Sequence, residues 1–91
     1  MRGRDVVEPI RRAAESVGGV RDGELAVGRV GMSYRVTNHL QADPKLPLDE
    51  AHVVGCRVKS AIRAAVPSAQ YMLVHMEPFA AAAEGEQAVL V

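Results

Sequence analysis

Ninety-one residues with 48% apolar content make a single small domain, too short for two cores and too apolar for a disordered tail. Eleven Lys and Arg balance eleven Asp and Glu, which argues against a nucleic-acid surface, and the N-terminal Arg2, Arg4, Arg11 and Arg12 read as a solvated helix face. One cysteine excludes an intrachain disulfide, no apolar run approaches the ~20 residues of a membrane span, and the start of the chain lacks the apolar stretch of a signal peptide, so a cytoplasmic setting is expected.

In chain order, the first element is a helix over about 6–17. Val6, Ile10, Ala13 and Val17 fall on one apolar stripe. Asp5 with Glu8 resembles a capping box, and Pro9 fits only a first turn, so Glu8 is an alternative cap with Pro9 at the first helical position. Gly18 and Gly19 end this helix. A loosely patterned strand follows over 20–30, interrupted by Gly23 and Gly28, and Gly31-Met32 makes a tight connection. The strand over 34–42 is clearer. Tyr34, Val36 and Leu40 face one way, and Arg35, Thr37, His39 and Gln41 face the other, which puts His39 on a polar face.

After the loop 43–47, a second helix is expected over 48–65, stopped ahead of Pro67. Ala51, Val54, Val58, Ile62 and Ala65 form its buried stripe, with His52, Cys56 and Lys59 on a neighbouring one. The last strand is expected over 71–76, closed by Pro78. Residues 1–78 thus read as one α+β domain of order α-β-β-α-β, an open sandwich with two helices on one face of a three-stranded sheet. Residues 79–91, rich in alanine, read as a flexible tail or one pinned by a partner. A core this small, beside a sheet with a second face to cover, predicts a homodimer.

The chemistry lies in the three histidines. Alternation brings His75 and Glu77 to one strand face, and His39 can approach from a neighbouring strand. Two imidazoles and a carboxylate at one spot make the borderline-soft N/O site that zinc and its neighbours occupy. Cys56 follows His52 by four residues, so both can face one point, and thiolate is a good zinc ligand. The favoured reading of Cys56 is nevertheless a small buried hydrophobe. Asp43 and Glu50 serve either to orient imidazoles or simply as loop and cap residues. No phosphate-binding glycine loop or nucleophile elbow occurs, and no apolar cleft is expected, so the chain does not read as an enzyme. Tyr34 and Tyr71 do not recreate the exposed aromatic pattern of an RNA-recognition domain.

The runs His39-Leu40-Gln41-Ala42-Asp43-Pro44, Leu46-Pro47-Leu48, Glu50-Ala51-His52 and Val74-His75-Met76-Glu77-Pro78 resemble the cytoplasmic C-terminal domain of cation diffusion facilitators. The resemblance spans roughly 5–78 and rests on the order and spacing of these runs together. It implies a ferredoxin-like, metallochaperone-like fold that dimerises into a V. It implies that Zn²⁺, or another divalent ion such as Cd²⁺, Co²⁺, Ni²⁺, Cu²⁺, Mn²⁺ or Fe²⁺, binds and draws the two arms together to regulate efflux. The family's metal positions map onto His39, His52, His75 and Glu77, with Cys56, Asp43 and Glu50 as additional candidates. Thr37 stands where some members carry Asp, and the Arg-rich stretch between the first two strands is thinned to Gly28-Arg29-Val30-Gly31. The implied partner is a membrane transport domain, either once attached or served by a stand-alone soluble relative. The alternative is a homodimerisation module that works without metal.

Overall fold

The computed structural model describes residues 3–78 and 89–90. Helix α1 spans Gly3–Glu15, strand β1 Val20–Val30, strand β2 Ser33–Ala42, helix α2 Leu48–Ala65, strand β3 Ala69–Pro78 and strand β4 Val89–Leu90. The α-β-β-α-β order expected from periodicity is therefore present, with a fourth strand added.

Helix α1 starts ahead of Pro9 rather than at it, so Pro9 stands inside the helix and Glu8 is not its cap. Pro9 therefore leaves the carbonyl four residues back without its helical N–H and crowds it with the ring, although the φ that proline enforces is helical. The expected capping side chain of Asp5 lies outside the described side chains. Val6, Ile10 and Ala14 are fully buried, so the stripe runs along i, i+4, i+8, with Ala13 and Val17 at its margin. Gly19, at φ 90°, turns the chain into β1, and Gly31, at φ 59°, turns β1 into β2. Both are left-handed conformations that glycine adopts without steric cost.

The sheet order is β1-β2-β3-β4. Strands β1 and β2 pair antiparallel, β2 and β3 parallel, and β3 and β4 antiparallel, so the sheet is mixed. Parallel pairing of β2 with β3 requires a crossover, which α2 supplies. Strand β2 alternates cleanly: Tyr34, Val36, Asn38, Leu40 and Ala42 are buried, and Arg35, Thr37, His39 and Gln41 are not. Together with Ala69, Val74 and Met76 of β3, those inward residues meet α1 and the Ala51, Val58 and Ile62 stripe of α2 in one core. Both helices therefore sit on one face of the sheet, and the His39 face is the other.

Of the expected tail, residues 79–88 and 91 lie outside the described ones. Val89 and Leu90 pair with Met76 and His75, forming a strand too short for sequence alternation to register.

Candidate metal site

The parallel register of β2 and β3 sets His39 opposite His75 and Gln41 opposite Glu77. All four belong to the outward set of their strands, so they share the face away from the helices. The His39 and His75 rings stack, with centroids 4.6 Å apart and planes inclined by 10°. Glu77 reaches back one row, and its Oε2 lies 2.6 Å from His39 Nδ1. A carboxylate can only accept, so His39 Nδ1 carries the proton and donates it. In the neutral imidazole this arrangement leaves the Nε2 lone pair free to face an ion. The side chains of His39 and Glu77 are 31% and 29% exposed, so the pair is open to solvent and to an arriving ion.

An imidazole held at one nitrogen by a carboxylate is the usual state of a metal-ligating histidine. His75 has no hydrogen-bond partner among the described residues, and both of its nitrogens remain available. The donor types suit a borderline divalent ion. The ring geometry adds a condition. A metal–nitrogen bond lies in the plane of the imidazole, and two nearly parallel planes do not converge on one point. One half-exposed ring must turn about its side-chain torsions before both histidines can face the same ion. Accordingly, no group of three or more His, Cys, Asp and Glu side chains is already arranged around a single point among the described residues.

The remaining candidates lie apart from this cluster. His52 is exposed on α2. Its described partner is Cys56, whose Sγ lies 3.7 Å from His52 Nε2. Cys56 is itself exposed, which corrects its reading as a buried hydrophobe. The i, i+4 spacing alone accounts for this pair. Asp43 is engaged by its own loop, accepting the Lys45 N–H at 2.9 Å. Glu50 is exposed in the first turn of α2, where a carboxylate complements the helix dipole. Ala42, Leu46, Leu48 and Met76, with Asp43 and Glu77, are among the residues lining an open hollow of about 240 Å³. That lies below the ~300 Å³ at which small-molecule pockets begin. A feature absent from the sequence reading is the bulge in β1 beside His39, for which Gly23 was the available signal.

No helix is long and apolar enough to cross a membrane among the described residues. A profile described as "Cation efflux protein, cytoplasmic domain" matches residues 3–79. Among solved structures, the C-terminal domain of MamM matches at 26% identity and TM-score 0.78, over 82% of this chain and 96% of that one. A cadmium form of a variant of that domain matches at 26% identity and TM-score 0.79, over 85% and 98% of the two chains. A nickel form of another variant gives 26% and 0.78, over 82% and 96%. Comparison with curated protein sequences finds no match.

Proposed function

The chain belongs to the family of cation efflux protein cytoplasmic domains, and we propose that it is a non-catalytic binding unit in which His39 and His75 take up a divalent cation, with Zn²⁺ the preferred ion. Glu77 holds His39 in the ligating tautomer and is available as a further oxygen donor. His52 joins the ligand set only where a conformational change or a second copy brings α2 to the site. The observation that carries this reading is the outer-face cluster itself: two imidazoles in register on adjacent strands, one of them anchored by a carboxylate at 2.6 Å. The cadmium and nickel forms of the similar MamM domain support a divalent ion as ligand class.

Two copies form the working unit in this reading. The outer face also exposes Tyr71 at 51% and Leu73 at 41%, which gives a second copy apolar area to cover. Ligands contributed near that interface bind one arrangement of the two arms better than another. The ion then shifts that equilibrium by the difference in affinity, which is how it regulates cation efflux by a membrane transport domain on the cytoplasmic side. The test is calorimetric. Zinc affinity should fall about tenfold or more in His75→Ala, because that ring has no competing hydrogen bond. If His75→Ala binds zinc as the parent does, the assignment fails.

A further inference from the structure

Strand β1 contains two glycines whose surroundings differ sharply. A Cβ added at Gly23 would lie 2.8 Å from the carbonyl oxygen of His39 and 3.6 Å from its carbonyl carbon. At Gly28 nothing lies within 4 Å of the same added atom. The obstacle at Gly23 is backbone, so no rotamer change relieves it. Either β1 or the His39 segment of β2 has to move.

The close approach comes from a bulge. Strand β1 pairs residue for residue with β2 except between Asp22, opposite Leu40, and Leu25, opposite Asn38. Gly23 and Glu24 thus share the place facing His39. A bulge of this kind bends its strand locally and re-aims side chains beside it. Arg11 of α1 reaches the same spot, its Nη1 donating to the Gly23 carbonyl at 3.4 Å. The irregular stretch of the β1–β2 ladder therefore coincides with the one β2 residue that carries the His39–His75–Glu77 cluster.

We propose that Gly23 is a positioning residue for His39: the absence of a side chain at the bulge lets β1 seat the His39 backbone so that its ring stacks on His75 and meets Glu77. The proposal rests on the reading of these residues as cation ligands. It extends that reading to a residue that carries no ligating atom. Gly28 is the matched control, a glycine of the same strand with open space around it.

The experiment compares the full chain with Gly23→Ala and Gly28→Ala by two measurements. Imidazole ¹H–¹⁵N spectra of the metal-free protein report the His39–His75 stack, and calorimetry reports zinc affinity. Gly23→Ala should move the His39 and His75 imidazole resonances and lower zinc affinity about tenfold, while Gly28→Ala leaves both at the parent values. Parent-like spectra and affinity in Gly23→Ala would overturn the proposal. If the parent binds no zinc, the ligand reading fails, and the metal-free spectra alone decide the positioning role: moved resonances uphold it and unmoved ones overturn it. If Gly23→Ala does not fold, Arg11→Met serves instead, since it releases the bulge carbonyl without adding an atom beside it. It should move the His39 resonances and weaken zinc a few-fold, and parent behaviour there overturns the proposal.

Discussion

Asn38 is fully buried, and neither its amide nitrogen nor its oxygen has a hydrogen-bond partner among the described residues. It faces the core from β2, with Leu25 and Val74 opposite it on the flanking strands. A buried polar group left unpaired costs about 1–3 kcal/mol. Valine is slightly larger than asparagine, but it brings no polar atom that needs a partner, and its β-branching suits a strand. Asn38→Val should therefore stabilise the fold by about 1–3 kcal/mol. A domain of this size shifts by roughly 4–8 °C per kcal/mol, so the melting temperature should rise by at least about 4 °C. Urea unfolding should give a higher midpoint at unchanged slope, because the surface exposed on unfolding stays the same. Zinc affinity should stay at the parent value, since the side chain points away from the His39 face. A lowered midpoint would refute the account of Asn38 as an unpaired group in an apolar core.

Ile62 is fully buried where α2 meets the sheet, so Ile62→Ala should cost about 2–5 kcal/mol, read as a lower urea midpoint; a change within the error of the fit would mean that α2 is not packed as described. Protons compete with the metal for imidazole nitrogen. Zinc should therefore raise the melting temperature at about pH 7.5 and do so much less at about pH 5.5, checked by scanning calorimetry with and without the ion; an increment that does not change with pH would point away from histidine ligands.

Much of the fold was legible because its signals are local. The alternation along β2 placed His39 on the outer face, and the stripe through Ala51, Val54, Val58, Ile62 and Ala65 marked α2 from Leu48 to Ala65, although Val54 is only partly buried and Ala65 is exposed. Pro9 misled because its penalty depends on which helical turn it occupies, and helix starts are weakly marked when the first residues are polar. The candidate site was named from residue types and, through resemblance, from positions, of which the structure brings together His39, His75 and Glu77 but not His52. Its geometry was not legible. That His39 falls opposite His75 depends on how far the α2 crossover carries the chain before β3 pairs with β2, which no local pattern encodes. The bulge at Gly23 is equally non-local, since a glycine in a strand signals several different irregularities. Cys56 was misjudged because a residue beside the centre of the buried stripe can fall on either side of the burial boundary.

The central claim is that the cation binds through the outer-face histidines. X-ray absorption at the zinc edge of the loaded protein tests it most directly, since it identifies the atoms around the ion. The account predicts a first shell of nitrogen and oxygen at about 2.0–2.1 Å, with the outer-shell pattern of imidazole and no sulfur at about 2.3 Å. A sulfur shell would move the ion to Cys56 and His52 on α2, and a shell without imidazole would remove the histidines altogether. Either result would contradict the account.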